Sequence, residues 1–125
     1  MTGGSGKDTI YNNGSRPTIY GGDDDDSINN QSSIGPAYID GGEGSDYINS
    51  NANISTIVGG NGDDTIYSNN NSTVSSYYAS IDAGEGNNYV NNKTIKSTIT
   101  TGSGNDNLEG VPVKILSSIT AVKMW

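Results

Sequence analysis

Residues 41–49 read GGEGSDYIN, and residues 59–67, eighteen positions further on, read GGNGDDTIY. Both stretches carry glycine at positions one, two and four, aspartate at position six and isoleucine at position eight. Residues 3–11, GGSGKDTIY, repeat the arrangement. Incomplete copies of the first six positions begin at three further places, residues 21–26, 83–88 and 101–106. Such a repeat indicates one structural unit that is copied and stacked along the chain.

A single aliphatic residue recurs about every nine positions, with two-residue insertions before Ile39 and Ile119 and a six-residue insertion before Ile81. Each lies between polar neighbours, as in Thr65-Ile66-Tyr67, which is the period-two pattern of a strand with one buried face. The register comprises Ile10, Ile19, Ile28, Ile39, Ile48, Ile57, Ile66, Ile81, Val90, Ile99, Leu108 and Ile119.

Short strands at this spacing predict an all-β, right-handed parallel β-roll, a β-solenoid in which each coil of roughly 18 residues contributes two strands. We predict one domain over residues 1–125. Ile34, Ile54, Val74 and Ile95 are expected to fill the edge opposite the glycine-rich loops. The predicted domain has about six coils and a tail, at residues 3–20, 21–40, 41–58, 59–82, 83–100, 101–120 and 121–125.

The composition excludes several classes of protein. Only 30% of the 125 residues are hydrophobic and the net charge is −8, values that would indicate disorder in a chain without the repeat. His and Cys are absent, so the usual zinc and copper ligands are missing. The acidic excess disfavours nucleic acid as a partner. No apolar run reaches the roughly 20 residues that a membrane span needs.

The loops and the strands that follow them resemble the RTX nonapeptide G-G-x-G-x-D-x-U-x, in which U is a large aliphatic residue. The resemblance covers residues 3 to about 109. It implies a parallel β-roll with Ca²⁺ as its cofactor, each ion lying between the loops of adjacent coils and sharing one aspartate from each. Only alternate nonapeptides carry the motif here, so calcium is expected along a single edge.

Calcium prefers six to eight hard oxygen ligands, which carboxylates and backbone carbonyls supply. Glycine lets a loop turn its carbonyls inward through left-handed conformations, and Asp24 replaces a glycine with a residue that tolerates them. The expected carboxylate or amide ligands are Asp8, Asp26, Asp46, Asp64, Asn88 and Asp106. The expected loop positions are Gly4, Gly6, Gly22, Asp24, Gly42, Gly44, Gly60 and Gly62.

Six stacked loops leave five gaps. Three gaps have aspartate on both sides, whereas the fourth and fifth involve Asn88, which keeps an oxygen but lacks the charge. We therefore expect three ions and at most five. Three to five Ca²⁺, carrying +6 to +10, would bring the net charge of −8 to between about −2 and +2.

The sequence favours an extracellular or cell-surface structural module that folds on calcium, with end-to-end assembly of copies, head to tail, as a further hypothesis. The alternative is a calcium-folding segment of a larger type I-secreted toxin, protease or adhesin. An ice-binding solenoid is a minor alternative, because the outward threonine columns are irregular. Catalysis is not expected: no nucleophile–base pair forms without His or Cys, and Asp40 and Asp82 lack a pocket.

Overall fold

The computed structural model describes residues 1–70, 72–110, 114–115 and 121–124. Every regular element among them is a β-strand, and the strands alternate between two seven-stranded sheets. Sheet A contains β1 (Thr2–Ser5), β3 (Thr18–Asp23), β5 (Pro36–Glu43), β7 (Ile54–Asn61), β9 (Tyr78–Asp82), β11 (Ser97–Thr100) and β13 (Lys114–Ile115). Sheet B contains β2 (Thr9–Asn12), β4 (Ser27–Asn30), β6 (Tyr47–Ser50), β8 (Thr65–Ser68), β10 (Tyr89–Asn92), β12 (Asn105–Gly110) and β14 (Ala121–Met124).

All neighbouring strands pair in parallel, and equivalent repeat positions lie opposite one another. Ile28 pairs with Ile48, and Ile48 with Ile66, in sheet B. The same alignment joins Ile39 to Ile57 in sheet A. The predicted all-β parallel solenoid is therefore confirmed.

The core is a file of aliphatic side chains between the two sheets. Ile19, Ile39 and Ile57 from sheet A and Ile28 and Ile48 from sheet B are completely buried. Their strand neighbours point outward, as the alternating burial along each strand shows. Such a core is only as wide as one side chain from each sheet, so it contributes little hydrophobic stabilisation for each residue that is ordered.

The edge opposite the glycine-rich loops is closed by polar side chains. The Asn12 side-chain amide donates to Asn30 Oδ1 at 2.8 Å, and the Ser68 hydroxyl lies 3.0 Å from that of Thr94. The expectation that aliphatic residues fill this edge was wrong for three of the four: Ile34, Val74 and Ile95 are exposed. The interior positions are taken by side chains that satisfy the turn backbone, which leaves these aliphatics on the outside.

The C-terminal register also differs from the expectation. The sequence predicts a tail over residues 121–125, but Ala121–Met124 forms β14 and pairs with β12. The residue opposite Ile99 is Ile115, four positions before the expected Ile119, which lies outside the described residues. Without β14, the backbone of β12 would present an unpaired strand edge. The pairing of β14 with β12 supplies the hydrogen-bonding partners of that edge.

Replacing Ile39 by alanine should lower the free energy of unfolding by about 2–5 kcal/mol, because the side chain is completely buried and its removal leaves a cavity. The matched change Ile34→Ala removes the same atoms from a side chain that is 69% exposed, and it should change stability by less than about 0.5 kcal/mol. Urea denaturation of both variants in saturating calcium measures the difference. Equal losses would contradict this description of the core.

Candidate metal centre

Each of the six glycine–acid loops leads from a strand of sheet A to the next strand of sheet B, so all six lie at one edge of the roll, as the alternating motifs predicted. We number the loops in chain order and call this side the loop edge. The gap between loop 1 and loop 2 is gap 1, and later gaps follow. The loops are residues 3–8, 21–26, 41–46, 59–64, 83–88 and 101–106.

The closing residues of the loops form a continuous hydrogen-bonded series, the inner ladder. The backbone N–H of Asp26 donates to Asp46 Oδ1 at 2.8 Å, and that of Asp46 donates to Asp64 Oδ1 at 2.9 Å. Asp8 donates in the same way to Asp26, and Asn88 accepts from Asp64. One oxygen of each acceptor side chain is therefore fixed by the preceding coil. The inner ladder is Asp8, Asp26, Asp46, Asp64, Asn88 and Asp106.

The second oxygen of each aspartate in the inner ladder is buried without a hydrogen-bond partner in the described structure. Five carboxylates share this condition, and Asn88 is the exception. A buried polar oxygen without a partner is destabilising, and more so when the group is charged. The five atoms are the Oδ2 oxygens of Asp8, Asp26, Asp46, Asp64 and Asp106.

The first residue of loops 1–4 marks where these oxygens point. A Cβ atom placed on Gly41 would lie 2.3 Å from Asp46 Oδ2 and 2.6 Å from the carbonyl oxygen of Gly59 in the next loop. A carboxylate oxygen and a backbone carbonyl oxygen therefore face the same small space across gap 3. The arrangement recurs in three other loops, at Gly3, Gly21 and Gly59.

Sequence reasoning missed these first glycines as site residues. They do not adopt positive φ, so conformational freedom does not explain them. Their common property is the space that a Cβ would occupy and that the Oδ2 atom needs instead. The repetition of glycine at position one of four loops was the available signal.

Burial changes the acidity of the central carboxyl groups. It raises the pKa of Asp46 to about 7. The hydrogen bond from Asp26 opposes this rise, whereas the charges of Asp64 and Asp26 add to it. Burial likewise raises the pKa of Asp64 to about 6. Ionised carboxylates are thus unfavourable in this file unless a positive charge compensates them.

A second series, the outer ladder, runs along the loop edge at position five and has different properties. Its hydrogen bonds run in the opposite direction: the backbone N–H of Ser45 donates to Asp25 Oδ1 at 2.8 Å, and that of Asn87 donates to Asp63 Oδ1 at 2.8 Å. Asp25 also forms an ion pair with Lys7. Asp25 and Asp63 are exposed. The outer ladder therefore leaves no buried carboxylate oxygen that requires a cation.

The other glycines of loops 2–6 pack coil against coil, whereas a Cβ on Gly4 or Gly6 of loop 1 would meet no atom within 4 Å. A Cβ on Gly42 or Gly60 would lie within 2.1 Å of the carbonyl oxygen of the corresponding glycine in the preceding loop, and both residues have positive φ. Asp24 has a φ of 73°, the left-handed conformation that the sequence required of it. Contact between coils explains these glycines directly. That the carbonyls of Gly4, Gly6, Gly22, Asp24, Gly42, Gly44, Gly60 and Gly62 bind calcium stays a prediction.

The donor set fits a hard divalent cation. Each of gaps 1–4 places a carboxylate oxygen beside a backbone carbonyl, with a carboxylate or amide oxygen of the next coil nearby in the ladder. Within the described residues, no three acidic side chains come together as a group that could hold a metal ion, so backbone carbonyls would complete the coordination. Oxygen-only ligands of this kind suit Ca²⁺.

A family model for the RTX calcium-binding nonapeptide repeat matches four copies, at residues 18–31, 40–72 and 97–110. The chain carries four RTX calcium-binding nonapeptide repeats. The matched ranges include the inner-ladder residues Asp26, Asp46, Asp64 and Asp106. RTX nonapeptide repeats bind calcium, so the chain is a calcium-binding β-roll module. Comparisons with curated proteins and with solved structures gave no significant match.

No helix among the described residues of this RTX module is long and apolar enough to cross a membrane. The surface formed by the described residues includes two grooves. One, of about 600 Å³, lies at the edge opposite the loops between Tyr78 and Lys96. The other, of about 330 Å³, lies along sheet A beside Glu43 and Asp82. Neither contains the inner-ladder oxygens.

Two adjacent aspartates give a matched test of the inner ladder. Asp64→Asn keeps an Oδ1 atom that can accept from Asp46 but replaces the unpaired Oδ2 with an amide. It should raise the calcium concentration for half-maximal folding at least about tenfold, since affinity follows the charge of the ligands. Asp63→Asn makes the same chemical change in the outer ladder and should shift this midpoint far less. Circular dichroism during calcium titration measures both, and equal shifts would show that the inner ladder is not the metal centre.

Proposed function

We propose that this calcium-binding β-roll is an extracellular structural module whose folding depends on calcium. The observation that carries the proposal is the file of five buried Oδ2 oxygens without hydrogen-bond partners. The polypeptide orients these carboxylates through Oδ1 but supplies no partner to the second oxygen. Cations at gaps 1–4 would satisfy the Oδ2 atoms that face these gaps and neutralise the charge of their carboxylates at the same time.

The thin core makes the dependence on metal strong. Each strand from β2 to β12 buries one large aliphatic side chain, and β5 and β9 add an alanine, whereas every backbone residue of the coil must be ordered. Burial of the closely spaced carboxylates is unfavourable and their mutual repulsion adds to it, and both effects raise the pKa of Asp46. Because the site is assembled only when coils stack, the free energy of metal binding contributes directly to folding.

The ligand charge favours an extracellular setting. Each gap has at most two carboxylates, one from each coil, and otherwise neutral carbonyls. Sites with few charged ligands bind calcium weakly, and extracellular modules work at about 10⁻⁴–10⁻³ M. RTX repeat proteins are typically secreted, which is consistent with this location. A module of this affinity would remain unfolded at cytosolic calcium and fold after export.

We further propose that residues 1–125 form one domain and that its function is structural. Asp40 and Asp82, the acidic pair weighed above for catalysis, pair with Val58 from either side on the outer face of sheet A, and Asp82 lines the groove beside Glu43 although the sequence predicts no pocket there. Tyr38 donates to Asp40, and the backbone of Gly84 donates to Asp82. These contacts give both acids a role in the surface of the sheet. Head-to-tail assembly and membership of a larger type I-secreted protein stay predictions.

Far-UV circular dichroism tests calcium-dependent folding. With excess chelator the chain should give the spectrum of a disordered polypeptide, and millimolar Ca²⁺ should produce a β spectrum in one transition. The same concentration of Mg²⁺ is the control and should not replace calcium, because Mg²⁺ demands a small octahedral site and retains its water. A β spectrum that persists in chelator would refute the proposal.

A further inference from the structure

Loop 5 departs from loops 1–4 at two positions that touch each other in those four loops, whereas loop 6 has Thr101 at position one but keeps the closing aspartate, Asp106. Its first residue is Ala83 instead of glycine, and its closing residue is Asn88 instead of aspartate. In loops 1–4 a Cβ at position one would lie 2.3–2.4 Å from the closing carboxylate's Oδ2. Ala83 therefore fills the space in which Oδ2 lies elsewhere, and both differences concern the same contact.

The Asn88 side chain makes a hydrogen bond that no aspartate of the ladder could donate. Its Nδ2 atom donates to the carbonyl oxygen of Gly84 in its own loop at 3.2 Å. The same carbonyl accepts from the backbone N–H of Gly102 at 2.9 Å. Both lone pairs of this oxygen are thereby used. Gap 5 thus contains amide hydrogens where gaps 1–4 contain an unpaired carboxylate oxygen.

The backbone beside gap 5 differs as well. In sheet A, β5 and β7 continue through their loop glycines to Glu43 and Asn61, whereas β9 ends at Asp82 and β11 at Thr100. Gly102 does not adopt the positive φ of the second glycine in the other five loops. The coils on the two sides of gap 5 therefore stack in a different way from those around gaps 2 and 3.

We propose that the Asn88 amide closes gap 5 without calcium, so that the file of ions is interrupted after gap 4. The inference rests on the proposed calcium function and assigns the interruption to the pair Ala83 and Asn88. The Nδ2 hydrogens carry partial positive charge and make the contact to a carbonyl that a cation would make elsewhere. Gap 4 remains a calcium site, because Asp64 Oδ2 is unpaired and faces the carbonyl of Ala83.

The test is to convert loop 5 to the pattern of loops 1–4. The double variant Ala83→Gly/Asn88→Asp should bind one more Ca²⁺ per chain than the wild type, counted by native mass spectrometry and by equilibrium dialysis at saturation. Asn88→Asp alone should gain a weaker site, since the Cβ of Ala83 obstructs the new carboxylate. Asn105→Asp, an exposed change on loop 6, adds the same charge outside the inner ladder and should leave the ion count unchanged.

Transferring the loop 5 residues to another loop tests the proposal even if the loop 5 variant does not fold. Gly41→Ala/Asp46→Asn transfers the loop 5 pattern to loop 3 and should lose one Ca²⁺ per chain, while the oxygen of the introduced amide can still accept from the backbone N–H of Asp26. An unchanged count in either folded double variant would overturn the proposal. A wild type that binds no calcium would instead refute the proposed function, so the two failures are distinct.

Discussion

The fold depends on the division of each closing carboxylate between two tasks. In Asp26, Asp46 and Asp64, Oδ1 accepts a backbone hydrogen bond from the preceding coil, and Oδ2 faces the carbonyl of the following coil without a protein partner. This side chain therefore links three coils, but its second contact requires a cation. Because the aliphatic core is one side chain deep in each sheet, little else is available to offset the burial of these charges.

The two edges of the roll satisfy the buried polar backbone of their turns in different ways. Each coil must reverse direction twice and bury polar backbone at both turns. At the edge opposite the loops, amides such as Asn12 and Asn30 both donate and accept, so the turns are satisfied by protein alone. At the loop edge, carboxylates can only accept, and the deficit of donors is the reason for a metal site. At the loop edge, the Asn88 side-chain amide donates to a backbone carbonyl, as the asparagine amides do at the opposite edge.

The limits of sequence reasoning follow from particular residues. Because Ile34 and Ile95 are aliphatic, the sequence predicts that they are buried at the edge opposite the loops. Burial at this edge is instead decided by which side chains satisfy the turn backbone, and asparagine and serine do so. The sequence register also predicts the wrong partner for Ile99, Ile119 in place of Ile115, for a different reason. Insertions between strands are irregular in this chain, so counting residues cannot fix the register of the last coil, whereas strand pairing can.

The sequence by itself determined the parallel stack, the single loop edge and the closing acids, because these properties follow from spacing that recurs every 18 to 24 residues. It also determined the left-handed conformation required of Asp24. The tertiary structure alone decided which oxygen of each carboxylate is unpaired, why position one is glycine in loops 1–4, and where the Asn88 amide points. These properties depend on contacts between coils and on side-chain rotation, neither of which a linear repeat specifies.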